Sequence, residues 1–117
     1  MSNFYKTYLL FYLLISIIFF ACSETKPSVK IQNNSEKIIS VYFKDNTCIN
    51  CPSITFLNID PFSETENKTC SVKEYSFSVI VEGEEKISDV IFKPNYDVNY
   101  IIIISKDFKC DIKSFNK

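Results

Sequence analysis

The chain has 117 residues, a formal net charge of −1 and no histidine, which bounds it to one domain, leaves no basic stripe for nucleic acid and removes the commonest general base and transition-metal ligand. All cationic side chains are lysine, so bidentate arginine clamps on phosphate or carboxylate are excluded. Gly83 is the one glycine, which excludes glycine-rich phosphate loops; no cofactor, metal site or catalytic residue is expected.

In chain order, "MSNFYKTY" is a short polar start with one positive charge at Lys6, and "LLFYLLISIIFFA" is an apolar run from Leu9 to Ala21. That run is shorter than the ~20 residues a hydrocarbon core requires. A charged start, an apolar middle and a small residue before a cut describe a secretory signal. Two cuts fit. Phe19-Phe20-Ala21-Cys22 resembles the lipobox of bacterial lipoproteins, with Phe19 and Phe20 standing where that family carries Leu and then Ala or Ser. The resemblance implies removal of residues 1–21, acylation of Cys22, and anchoring to a membrane through those acyl chains; one chain holds marginally and two hold durably. The other cut, after Ser23, would discard Cys22 and release a secreted protein.

"SETKPS" after Cys22 is polar and contains Pro27, so residues 22–28 read as the lipidated cysteine and a flexible tether. From residue 29 onward, runs rich in β-branched and aromatic residues alternate with turn residues. "VKIQ" and "KIISVYF" flank a connection at "NNSE". "ITFLNI" follows the loop "KDNTCINCPS". "SETENKTCSVKE" is polar enough for an edge strand or a loop. "YSFSVIVE" places Tyr75, Phe77, Val79 and Val81 on one face, and the turn at Gly83 leads into "KISDVIFK", the clearest hairpin in the chain. "VNYIIIIS" suits a strand buried on both faces, since β-branched residues disfavour a helix there. "FKCDIKSF" closes the series.

This rhythm predicts a single all-β domain over residues 29–117, an antiparallel β-sandwich of roughly seven to eight short strands. It resembles the small immunoglobulin-like or transthyretin-like sandwich domains of bacterial lipoproteins with unassigned function. That likeness covers residues 29–115 and lends no functional residues.

Cys48, Cys51, Cys70 and Cys110 remain under either cut. In a small exported domain an even set reads as disulfides, each contributing about 3 kcal/mol if it closes a loop of ~15–20 residues. With strands running alternately up and down, Cys70 falls at the same end as the 48–51 loop, which favours a bridge from Cys70 to Cys48 or Cys51. Two other readings compete. "CINCP" has thioredoxin-like spacing, but a reactive thiol there needs a helix start to lower its pKa, and the strand-like "SITFL" follows. A structural zinc site wants two close pairs or added histidines.

Tyr96 and Tyr100 form a candidate recognition patch for a protein or carbohydrate. Glu82, Glu84, Glu85 and Asp89 lack the cadence of a calcium loop and read as solvated hairpin charges. Asn33 and Asn67 match glycosylation acceptors, a match expected by chance in an asparagine-rich chain.

The functional expectation is a lipid-anchored, non-catalytic envelope lipoprotein with a binding or structural role and no nucleic-acid partner. The alternatives are an exported thiol–disulfide oxidoreductase using Cys48 and Cys51, and a secreted adhesin or inhibitor cut after Ser23.

Overall fold

The computed structural model describes residues 24–48, 50–51 and 54–117. The signal segment expected over 1–21, and Cys22, lie outside the described residues. Within those described, the chain forms nine strands and no helix: β1 (Ser28–Asn33), β2 (Ile39–Asp45), β3 (Ile54–Ile59), β4 (Ser63–Glu64), β5 (Lys68–Thr69), β6 (Tyr75–Val81), β7 (Glu84–Phe92), β8 (Val98–Ile104) and β9 (Cys110–Asn116).

The strands form two sheets packed as a β-sandwich. One has the order β4-β1-β8-β9, with β5 also pairing β1. The other has the order β3-β2-β6-β7 and is antiparallel throughout. The all-β sandwich read from the sequence is the architecture. The strand number is higher than expected because the polar stretch after Phe62 is both edge strand and loop: its two ends, β4 and β5, each pair with β1 for 2 residues.

Two features depart from the expected antiparallel series. The segment 34–38 is not a hairpin connection; it carries the chain from one sheet across to the other, so β1 and β2 do not pair. In addition, β1 runs parallel to β8, with Ser28 beside Asn99 and Asn33 beside Ile104. The cause is topological. Both strands start at the same end of the sandwich and run the same way, and both lie in the same sheet.

Side-chain alternation fills the space between the sheets. Tyr75, Phe77, Val79 and Val81 all face inward, as their spacing dictates, in register with Asp45, Phe43, Val41 and Ile39. Val29, Ile31, Tyr100, Ile102 and Ile104 come from the other sheet. Of the four isoleucines of β8, Ile102 and Ile104 are fully buried while Ile101 and Ile103 are half-buried on the outer face; the strand is not covered equally on both sides. Phe43 is the aromatic hub. Its ring centroid lies 5.3 Å from Phe77, 5.8 Å from Phe92, 6.0 Å from Phe56 and 6.4 Å from Tyr75, distances at which tilted and edge-on rings attract.

The strand directions give the sandwich two distinct ends. The entry end holds Thr25–Pro27, the loop after Asp45, residues 70–74 and the turn 93–97. The far end holds the connections 34–38, 60–62, 82–83 and 105–109. Three residues of the expected tether already belong to the fold: Pro27 is buried, Ser28 opens β1, and Thr25 is hydrogen-bonded to Asp97.

Candidate functional site

The far end carries an open cleft of about 640 Å³ lined by Glu36, Lys37, Ile38, Ser40, Asn58, Pro61, Ile80, Glu82 and Gly83. Three connections build it. The first is the crossing segment after β1, which is held by a buried polar clasp. Asn33 is fully buried, and its Nδ2 donates to the carbonyls of Lys37 at 2.8 Å, Ile59 at 3.1 Å and Asp60 at 3.1 Å. Its Oδ1 accepts from the amide of Ser35 at 3.0 Å and the Ser35 hydroxyl at 2.6 Å. One side chain thus ties the start of β2 to the end of β3. A polar group so deeply buried is tolerated because all of its hydrogen-bonding capacity is used. It also means that Asn33 is not available as a glycosylation acceptor.

The second connection is Asp60-Pro61-Phe62-Ser63, braced by the Ser63 hydroxyl donating to the Asp60 carbonyl at 2.6 Å. Phe62 sits at φ 57° with 69% of its surface exposed. Proline followed by a residue at positive φ is the pattern of a turn that favours glycine or asparagine at its third position; a phenylalanine there costs backbone energy without any burial to offset it. The third is the two-residue turn Glu82-Gly83, with φ 52° and 80°, the mirror-image turn that matches strand twist in a hairpin. Asn58, on the cleft wall, also has positive φ, at 52°.

The cleft is amphipathic. Ile38, Pro61 and Ile80 supply apolar surface, Ile38 being 52% exposed, and Leu57 and Phe62 extend exposed apolar area nearby. Lys37 Nζ meets Glu82 Oε1 at 2.9 Å across it, an exposed pair that contributes little to stability. Ser40 is the hydroxyl on its lining, and its Oγ accepts the Asn58 amide at 3.1 Å. The chain has no imidazole to pair with that hydroxyl. Such a surface can hold an apolar side chain between charged rims.

The cysteines are arranged differently from the sequence expectation. Cys48 is bonded to Cys51, with Cα atoms 5.5 Å apart. Among the described residues Cys70 and Cys110 are free thiols. Cys70 does lie at the end that carries the 48–51 loop: the neighbouring Lys73 reaches Asp45 Oδ2 at 3.2 Å, and the Tyr75 hydroxyl accepts the Ser71 amide at 3.1 Å. It is nonetheless turned into the core beside Pro27, whose carbonyl lies 3.6 Å from its sulfur. Cys110 begins β9 opposite Ile104, at the far end. The length of β1 separates Cys70 from Cys110, a gap beyond the ~7 Å that a disulfide tolerates. Burial pushes both thiols up to about 11, so they stay mainly protonated near neutrality. The expected long-range bridges are replaced by one short local loop.

Tyr96 and Tyr100 do not share an exposed patch. Tyr96 is 48% exposed in the turn before β8, whereas Tyr100 is buried, edge-on to Phe92 at 5.0 Å, with its hydroxyl accepting the Asn95 amide at 2.8 Å. Tyr100 borders a shallow hollow of about 250 Å³ together with Lys30, Asn67, Asn99, Ile101 and Phe115, a lining that does not include Tyr96. The strict alternation of β8 determines the outcome: Tyr100 shares its face with Ile102 and Ile104.

At the entry end, Asp45 is held down to about 2, first by the Thr47 hydroxyl at 2.7 Å, then by the Thr47 amide at 2.8 Å, with Lys73 adding to both. Asp97 is also lowered, chiefly by the hydroxyl and amide of Thr25. Both carboxylates act as turn anchors. Among the described residues, no group of three or more His, Cys, Asp or Glu side chains is gathered as a metal site. No protein-family model matches the chain, and no curated protein is similar to it in sequence.

Proposed function

We infer that the protein is a lipid-anchored, non-catalytic envelope protein that displays its far-end cleft for binding. One observation carries this reading: the chain enters the sandwich at Thr25, bonded to Asp97, at the end opposite the cleft and Phe62. With acyl chains on Cys22, the segment to Thr25 reaches at most about 10 Å. The entry end then lies against the bilayer and the cleft faces away from it. The strained, exposed Phe62 supports a binding role, because conformational cost without packing gain is characteristic of functional positions. The occupant this surface suits is a protein segment offering an apolar side chain flanked by charge.

The test is metabolic labelling with palmitate. The wild-type chain incorporates label and fractionates with membranes, and Cys22→Ala does neither. Label retained in Cys22→Ala, or never present in the wild type, overturns the anchoring.

A second reading, thiol–disulfide exchange at Cys48 and Cys51, draws on the bond between them. Against it, no helix start, the usual source of a lowered thiol pKa, meets this loop among the described residues. Reductase activity in the wild type that disappears in Cys48→Ser would favour this reading over the first.

A further inference from the structure

The two sheets have unequal edges. β3 is bulged against β2 and carries Asn58 at positive φ, while Lys68 reaches across from β5 to the Thr55 carbonyl and lies 4.7 Å from the Phe56 ring centroid. β7 has register shifts and Asp89 at φ 54°. β4 and β5 are short fragments. Bulges, short strands and covering lysines are the ordinary means of preventing edge pairing. β9 is seven residues long and unbulged, and the charges on it are one of each sign, Asp111 and Lys113. Its register with β8 is unbroken from Val98–Asn116 to Ile104–Cys110, and no described strand pairs with its other edge. Every residue from Asp111 to Asn116 is exposed, including Ile112 at 36%, although Ile112 lies opposite the fully buried Ile102 and shares its inward face.

The backbone polarity of that edge follows from the ends of the ladder. The Ser105 amide donates to the Lys109 carbonyl at 2.9 Å, and the Lys117 amide donates to the Asp97 carbonyl at 3.0 Å. Odd-numbered residues therefore direct their amides and carbonyls to β8. Cys110, Ile112 and Ser114 direct theirs to the open edge.

We propose that β9 pairs antiparallel with β9 of a second copy about a two-fold axis at Ile112, joining the two β4-β1-β8-β9 sheets into one. Sequence complementarity favours that occupant and that register: centring on Ser114 leaves Lys113 opposite Phe115 rather than an acid. A two-fold axis normal to the sheet keeps inward faces together, so only shifts of whole residue pairs are allowed. Centring on Lys113 sets Lys113 against itself, and centring on Asp111 sets Asp111 against itself; like charges directly opposite are destabilising. Centring on Ile112 sets Asp111 against the partner's Lys113 on both sides of the axis. It brings the two Ile112 side chains together on the inner face and places Phe115 beside the partner's Lys109. It also makes Ile112 a hydrogen-bonded pair with its counterpart, and Asp111 with the partner's Lys113 a non-hydrogen-bonded pair, the closer kind in side-chain terms. The interface is isologous and closes, so it yields a dimer rather than a fibre.

The test uses the full chain in membranes or detergent, with copper phenanthroline as oxidant and non-reducing electrophoresis as readout. In the proposed register Ser114 lies opposite the partner's Cys110, so Ser114→Cys gives a covalent dimer, and adding Cys110→Ser abolishes it. Ile112→Cys in the Cys110→Ser background gives a covalent dimer through its own counterpart. Asp111→Lys weakens dimerisation by about tenfold or more, and combining it with Lys113→Asp restores it. Circular dichroism identical to wild type confirms that these edge substitutions leave the fold intact. Cross-linking through Lys113→Cys in place of Ile112→Cys overturns the register. A light-scattering mass of one chain at tens of micromolar overturns the dimer. A Cys22→Ser background keeps both results independent of whether Cys22 is acylated.

Discussion

The amide and hydroxyl of Thr25 both donate to Oδ1 of Asp97, at 2.8 and 2.6 Å, and the Asp97 amide returns a bond to the Thr25 carbonyl at 3.0 Å. Lys117 adds to this junction by donating to the Lys26 carbonyl at 2.6 Å. The point where the chain enters the sandwich is therefore fixed to the turn before β8, and any tether begins upstream of Thr25. Asp97→Ala removes the acceptor and places alanine at a φ of 60°, which disfavours it further. The expected outcome is faster hydrogen exchange of the Thr25 amide under native conditions, with the β-sheet circular dichroism unchanged.

Asn33 holds the far end together. Asn33→Ala leaves the carbonyls of Ile59 and Asp60 and the Ser35 hydroxyl without their buried partner. Unpaired buried groups of this kind cost about 1–3 kcal/mol. A lower urea midpoint with an unchanged slope is expected, since the loss is in stability rather than in the surface exposed on unfolding.

Phe62 should behave in the opposite way. Phe62→Gly relieves a left-handed backbone, a gain of about 1–2 kcal/mol, which the added freedom of glycine in the unfolded chain offsets by roughly 0.5–1 kcal/mol. With 69% of the side chain exposed, little burial is lost. Thermal melting should show stability equal to or slightly above wild type, while Ile38, Pro61 and the cleft lose their exposed aromatic neighbour. A marked loss of stability would show that Phe62 packs in a way the structure does not show.

Acid should loosen the entry end first. Asp45 titrates at about 2 in the fold against 3.8 when unperturbed, and Asp97 is shifted in the same direction. A depressed folded pKa means that the unfolded chain binds the proton more readily. The stabilisation from these carboxylates is complete above the unperturbed value and is lost as pH falls through the folded one. Denaturant midpoints should therefore drop between about pH 4 and pH 2, and Asp45→Asn should flatten that dependence while lowering stability at neutral pH.

Much of the fold was legible because most strands follow local alternation. "ITFLNI" matches β3 residue for residue, and Tyr75–Val81 alternates as the inward face requires. What the sequence did not reveal depends on non-local packing. The parallel contact of β1 with β8 follows from which sheet each strand joins, and the alternation within either strand carries no trace of it. Asn33 looked like part of a polar turn, since only the folded chain brings the carbonyls of Ile59 and Asp60 to its side chain. Tyr100 is a candidate for a recognition patch by residue type, but its spacing to Ile102 and Ile104 places it inward. Alternating strands favour a bridge from Cys70 to Cys48 or Cys51, whereas the loop closes on itself. Phe62 carried a usable signal: "DPFS" has proline where a turn begins and a bulky residue where glycine is favoured.

The central claim, a sandwich held to a membrane by acyl chains next to its entry end, is tested most directly by mass spectrometry of the N-terminal peptide from the membrane fraction. The account predicts a peptide that starts at Cys22 and carries the mass of a diacylglyceryl group. A peptide that starts at Met1 or at Glu24, with no added lipid mass, would contradict it.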